Sequence, residues 1–165
     1  MNTHYTVEKN VLILVSLLKR NGIRKVIASP GTTNITFVAS LQSDPFFQMY
    51  SAADERSAAY MACGLAEESG EPVVITCTGA TASRNYIPGM TEAYYRKLPV
   101  LAVTSMAGRS KIGNLNPQII DRSRIQKDVS VYSAFLPFVH DCEDERLCVL
   151  TCLLYTSDAA DEARS

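Results

Sequence analysis

Four short stretches of the chain carry residue types that could do chemistry. Ser29-Pro30-Gly31-Thr32-Thr33-Asn34 and Thr78-Gly79-Ala80-Thr81 are turn-plus-helix-start sequences of small and hydroxyl residues. Small residues let backbone approach a flat ligand, and a helix N-terminus offers N–H donors without partners in the helix. Asp54-Glu55-Arg56 puts two carboxylates and a cation at a third such boundary. A Glu55 carboxyl shielded from water would hold a proton near neutral pH and could take part in acid–base work. The plainer reading is that an acid next to Asp54 at a helix start complements the helix dipole. Arg56 could bind a carboxylate or simply pair with Asp54. Ser105-Met106-Ala107-Gly108 is the fourth stretch.

The elements that must position these stretches follow from the pattern. Thr6 is placed to cap a helix from about Val7 to Asn21, with Gly22 just beyond its end. Val26-Ile27-Ala28-Ser29 is a short buried strand stopped by Pro30-Gly31. A helix from about Asn34 to Gln42 and a strand over Phe46–Ser51 follow. Asp54 caps a long helix to Ser69, closed by Gly70. Pro72–Cys77 is a continuous apolar run of the kind buried on both faces. Gly79-Ala80-Thr81 opens a helix to about Arg96, and Pro99–Ser105 is a fourth strand. Gly108–Asn116 reads as a loop, Gln118–Lys127 as a helix and Phe135–Val139 as a further strand. Strands alternating with helices define an α/β class: a three-layer, Rossmann-like domain with a mainly parallel sheet flanked by helices. Ligands of such sheets bind beyond the carboxyl ends of the strands, where all four stretches fall.

Composition narrows the function. The 165 residues suit one domain, with 47% hydrophobic and 20% charged residues. Sixteen basic and 17 acidic residues leave a net charge of −1, so there is no basic footprint for nucleic acid. No apolar run approaches the ~20 residues that span a bilayer. The first apolar run suits an ordinary helix better than a signal peptide, which points to the cytoplasm. Cys63 and Cys77 lie in apolar segments as small core residues. His140, Cys142, Cys148 and Cys152 match no common zinc spacing, so no metal site is expected. A Gly-x-Gly-x-x-Gly fingerprint and a Lys-Ser/Thr phosphate loop are both absent from the first turn, which argues against a nucleotide binder.

Several motifs occur in one order: Ser29-Pro30-Gly31; Asp54-Glu55-Arg56-Ser57-Ala58-Ala59; Gly64-Leu65-Ala66; Thr76-Cys77-Thr78-Gly79-Ala80-Thr81-Ala82 with Asn85; Glu92-Ala93; and Leu98-Pro99-Val100. From about Thr6 to Ser105 the chain resembles the N-terminal pyrimidine-binding domain of thiamine-diphosphate-dependent enzymes. Within that superfamily it is nearest to 2-succinyl-5-enolpyruvyl-6-hydroxy-3-cyclohexene-1-carboxylate synthases of menaquinone biosynthesis. It also looks like thiamine-diphosphate proteins of bacterial surface-polysaccharide clusters. Two departures from the synthase pattern stand out. Thr32-Thr33-Asn34 replaces Ser-Arg-Ser, and Ser105-Met106-Ala107 replaces Asp-Arg-Pro, so two carboxylate-binding features are altered.

The resemblance implies the thiamine-diphosphate-binding fold and a 2-oxo-acid decarboxylase or carboligase. It implies that Glu55 hydrogen-bonds N1′ of the cofactor's aminopyrimidine and favours the imino tautomer that removes the thiazolium C2 proton. Pro30, Gly31, Thr78, Gly79, Ala80, Thr81 and Asn85 would contact the cofactor, and Thr32, Thr33, Arg56 and Gln118 the substrate. Magnesium and diphosphate would bind through a separate C-terminal domain, and the site would form between subunits of a homodimer or homotetramer. A competing expectation is a non-catalytic α/β module that serves dimerisation. Residues 152–165 resemble a translated sequencing-library adapter, which sets the natural domain at residues 1–151.

Overall fold

Five consecutive residues, 73–77, are buried, as a strand must be when helices cover both faces of its sheet. The computed structural model describes residues 5–79, 81–106, 108–122 and 125–151. Its strands are β1 (Lys25–Ala28), β2 (Gln48–Ser51), β3 (Val73–Thr78) and β4 (Val100–Ser105). They form one sheet in the order β2-β1-β3-β4, with every pair parallel. The helices are α1 (Lys9–Arg20), α2 (Ile35–Gln42), α3 (Glu55–Ser69), α4 (Ala82–Asn85) and α5 (Ile87–Tyr95). A further helical segment covers 142–151.

Side chains alternate across the strands, so each strand feeds two cores. Val26 and Val74 pack with Val15, Leu18, Phe37 and Leu41 of α1 and α2. Ile27, Val73, Ile75 and Cys77 pack with Ala58, Ala59, Ala62 and Met90 of α3 and α5. The result is the three-layer architecture read from the sequence. Full burial of each large aliphatic side chain contributes about 1.5–3 kcal/mol, which holds both helix layers on the sheet.

Local chemistry sets the helix ends. Asp54 Oδ1 accepts from the Ser57 N–H at 2.9 Å and opens α3, and Gly70 closes it in the left-handed conformation, at φ +65°. The end of α1 is a Schellman turn. The Ile23 N–H donates to the Leu18 carbonyl and the Gly22 N–H to the Lys19 carbonyl, with Gly22 at φ +70°. The start of α1 differs from expectation. Thr6 Oγ1 accepts from the Glu8 N–H at 3.2 Å in a local turn, and the helix begins at Lys9.

Four further expectations are corrected. The helix foreseen from Gly79 to Arg96 is broken at Tyr86 into α4 and α5. Pro88 has no N–H for the Arg84 carbonyl, which instead accepts from Tyr86. The described part of 118–127 is not helical, and Gln118 has φ +63°. Residues 135–139 lie in irregular backbone without a ladder partner. The second strand starts at Gln48, because Phe46 and Phe47 sit in the turn that Asp44 organises. The tail reading on residues 152–165 falls outside the described residues.

Candidate active site

From β1 the chain crosses to β2 on one side, and later to β3 and β4 on the other. The crevice between the carboxyl ends of β1 and β3 is therefore the switch point of the sheet. Two of the foreseen stretches meet there. Gly31 lies so close to Thr78 that a Cβ on it would sit 2.3 Å from Thr78 Cγ2. A side chain at Gly31 would force Thr78 to shift.

Asn34 ties the first turn together. It is fully buried, and its Oδ1 accepts from the Gly31 N–H at 2.8 Å. Its Nδ2 donates to the Ser29 carbonyl at 3.3 Å and to Thr76 Oγ1 at 3.4 Å. Sequence reasoning placed Asn34 at a helix start and missed this bracing of β1 to β3. An Asn three residues after Pro-Gly's glycine was the available signal. Next door, Ser29 Oγ is buried with no hydrogen-bond partner among the described residues. The second turn is pinned by β4. A Cβ on Gly79 would lie 2.9 Å from the Ser105 carbonyl oxygen. Thr33 Oγ1 donates to the same carbonyl at 3.1 Å. The first, second and fourth turns thus converge on Ser105.

Glu55 is the first residue of α3 and is half-buried. Its Oε2 accepts from Asn85 Nδ2 at 3.0 Å. Asn85 ends α4, the short helix entered directly from the Gly79 turn. The carboxylate expected to do proton work is therefore held by the element that follows the small-residue loop. Asp54 beside it stays ionised. The Ser57 hydroxyl and N–H hydrogen bonds hold its carboxyl below the usual range. Its role is the helix cap, which leaves Glu55 free for other work.

The remaining foreseen residues divide. Thr78 and Gly79 are half-buried in the crevice wall, and Pro30, Thr32, Thr33 and Thr81 are exposed around it. Arg56 is exposed next to Asp54, whose carboxyl its charge helps to keep ionised. Gln118 is exposed in a loop, and no hydrogen bond ties it to this group among the described residues. Ala80 lies outside the described residues. A polar ladder that sequence reasoning did not pick out stands behind the site. Arg122 Nη2 donates to the Tyr86 hydroxyl at 2.9 Å, and that hydroxyl lies 2.9 Å from Thr104 Oγ1. Burial raises the Tyr86 hydroxyl pKa, against the opposing pull of the Arg122 charge and the Thr104 bond. Among the described residues, no cluster of His, Cys, Asp and Glu is arranged to hold a metal.

A parallel sheet with a braced switch point, a small-residue loop and one glutamate at the adjoining helix start is the layout of a thiamine diphosphate-binding domain. The chain belongs to that family: the model of the thiamine pyrophosphate enzyme N-terminal TPP-binding domain matches residues 11–128. The 2-succinyl-5-enolpyruvyl-6-hydroxy-3-cyclohexene-1-carboxylate synthase of Bacteroides fragilis is 36% identical over 144 residues, which is 87% of this chain and 26% of that protein. The synthase of Porphyromonas gingivalis is 45% identical over 105 residues, 64% of this chain and 18% of that protein. The chain thus spans about a quarter or less of these curated relatives. Among solved structures, a 4-hydroxybenzoylformate decarboxylase from Rhodococcus jostii superposes with a TM-score of 0.62 at 21% identity, covering 68% of this chain and 21% of that one. A benzoylformate decarboxylase from Polynucleobacter necessarius gives 0.60 at 22% identity, with 68% and 21% covered. These likenesses establish the fold.

Proposed function

We propose that this chain is the N-terminal part of a thiamine-diphosphate-dependent enzyme that decarboxylates a 2-oxo acid or joins its remainder to an acceptor. Glu55 is its cofactor-activating carboxylate. The observation that carries the reading is the placement of Glu55 at the start of α3, 3.0 Å from Asn85 and one short helix away from the Gly79 turn. The residues present fit the cofactor's pyrimidine end. Oε2 is engaged by Asn85, and a carboxylate has further acceptor positions for a ring nitrogen's proton. When bound, thiamine diphosphate supplies a nucleophilic carbon and an electron sink. Glu55 would share a proton with N1′ of the bound aminopyrimidine, and Asn85 would hold the carboxylate in place through its bond to Oε2. Pro30, Gly31, Gly79 and Thr81 would line the ring's approach, with Thr32 and Thr33 on the substrate side.

The rest of the site lies elsewhere in the assembly. Magnesium and the diphosphate are held by a separate domain of a longer protein, a reading supported by the quarter-length coverage of the synthases. The enzyme works as a homodimer or homotetramer in the cytoplasm. The exposed Tyr60 and Met61 of α3 suit a subunit boundary beside Glu55. The altered residues Thr32, Thr33 and Met106 support a substrate other than that of the menaquinone synthases. If the same surface serves association alone, the protein is a dimerisation module without turnover.

Glu55→Gln in the uninterrupted protein tests the reading. Loss of a positioned acid–base group lowers the rate by about 10²-fold or more. The expected result is that slowing of C2-proton exchange in bound thiamine diphosphate, followed by NMR, with cofactor affinity and circular dichroism unchanged. Exchange at the parent rate overturns the assignment.

A further inference from the structure

Asn85 Nδ2 meets Glu55 Oε2 at 3.0 Å, but the helix that carries Asn85 is only four residues long. One turn of helix has little rigidity of its own. No side chain caps its start, and Pro88 offers no N–H to carry the ladder from α4 into α5. Something else must fix where Asn85 sits. Ser83 is fully buried and seats the middle of α4. The end of α4, beside Asn85, is held by Tyr86.

Tyr86 is buried, and its ring lies in the core with Ala58 and Ala59 of α3 and Ile75 and Cys77 of β3. Its hydroxyl accepts from Arg122 Nη2 at 2.9 Å, and the guanidinium carbon lies 5.6 Å from the ring centroid. A guanidinium only donates, so the hydroxyl keeps its own proton for Thr104 Oγ1, 2.9 Å away on β4. The ladder continues one step further. Burial raises the Cys77 thiol most and the charge of Glu55 raises it again, while a hydrogen bond with Thr104 pulls it down. Arg122, Tyr86, Thr104 and Cys77 thus form a one-way chain of donors that ends in the field of Glu55.

Consecutive residues of a helical turn leave it about 100° apart. Asn85 and Tyr86 use that divergence. One reaches α3 through Glu55, and the next reaches β4 through Thr104. We propose that Tyr86, clamped by Arg122 and Thr104, is a positioning residue: it fixes the junction of α4 and α5 and so keeps Asn85 against the Glu55 carboxylate. Arg122 belongs to the irregular segment beyond β4, so that segment is tied to the carboxylate through the same junction. This inference rests on the reading of Glu55 as the cofactor-activating carboxylate.

The test uses the uninterrupted protein with isotope-labelled asparagine. Without cofactor, the Asn85 side-chain amide signals are identified by their loss in Asn85→Ala. Tyr86→Phe keeps the ring and removes the hydroxyl. It is expected to move those signals toward the shifts of an unbonded side-chain amide, and signals left at the parent shifts overturn the proposal. With thiamine diphosphate and magnesium bound, Tyr86→Phe is expected to slow C2-proton exchange about 10-fold, short of the ~10²-fold that a 1 Å misplacement can cost. In an Asn85→Ala background the same substitution should change the rate by less than about 2-fold, because the two residues act as one unit. The full 10-fold loss in that background overturns the proposal, since Tyr86 then acts on the fold and not through Asn85. If Tyr86→Phe unfolds, Arg122→Met is expected to move the Asn85 signals and Arg122→Lys, still a donor, to return them; unmoved signals in Arg122→Met overturn the proposal. Parent-rate exchange in Glu55→Gln removes the enzyme reading and leaves the amide signals to decide the positioning role. Slowed exchange in Glu55→Gln with unmoved Asn85 signals in Tyr86→Phe removes this inference only.

Discussion

Asp44 is buried, with 4% of its side chain exposed, and accepts from Lys19 Nζ at 2.6 Å, from the Tyr5 hydroxyl and from the Phe46 N–H at 2.9 Å. Burial pushes its carboxyl pKa up, but the bonds from Lys19, Tyr5 and Phe46 outweigh burial and hold it at about 2, from an ordinary 3.8. A carboxyl depressed by folding contributes stability at higher pH and loses it as the folded form protonates. Thermal melts are therefore expected to show an acid loss of stability between about pH 4 and pH 2 that is weaker in Asp44→Asn. Parallel acid limbs for the two proteins count against this. Thiols should divide just as clearly. Burial pushes Cys77 up to about 12 and raises Cys63, whereas Cys142 is exposed. Alkylation of the native protein followed by peptide mass spectrometry should find Cys142 labelled and Cys63, Cys77 and Cys148 spared. Ser29 supplies a third case. Its buried hydroxyl has no partner among the described residues, and such a group costs about 1–3 kcal/mol. Ser29→Ala should thus match or exceed the parent in urea denaturation, and a loss of more than about 1 kcal/mol would mean that the hydroxyl has a partner.

Packing of α3 on α5 depends on small residues at their crossing. Ala58, Ala59, Ala62, Cys63 and Ala66 form the buried stripe of α3. Gly89 of α5 meets it so closely that a Cβ would lie 2.5 Å from Ala59 Cβ and 3.1 Å from its carbonyl carbon. Cys63 Sγ donates to the Gly89 carbonyl across this contact at 3.3 Å. Gly89→Ala must separate the helices, and overpacking of this kind costs about 1–3 kcal/mol. The same displacement moves α4, and with it Asn85, away from Glu55. Chemical denaturation should show the loss, and Gly64→Ala on the open face of α3, where nothing lies within 4 Å, serves as the tolerated control. Helix separation thus links core packing to the candidate site.

On the function proposed above, the sheet crevice and Glu55 make half of a cofactor site. On that reading the crevice residues serve the pyrimidine end, and among the described residues no group of three or more His, Cys, Asp and Glu is arranged to hold a metal. Calorimetric titration of the 165-residue chain with thiamine diphosphate and magnesium is expected to show no micromolar binding, and the uninterrupted protein is expected to bind. Micromolar binding by the short chain contradicts the half-site reading.

Local sequence was enough for the strand–helix alternation, for the Asp54 cap and for the Gly70 and Gly22 stops. Each rests on periodicity or on the chemistry of one or two neighbouring residues. The same local logic overreached at 79–96, where one proline split a helix, and at 135–139, where a strand-like run has no partner to pair with. The bond of Asn34 to Thr76, the contact of Gly31 with Thr78, the convergence on Ser105 and the reach of Asn85 to Glu55 all join residues on different elements. Only the crossover order of the sheet brings those residues together, because hydrogen bonds and steric contacts depend on distances in space and not on separation along the chain.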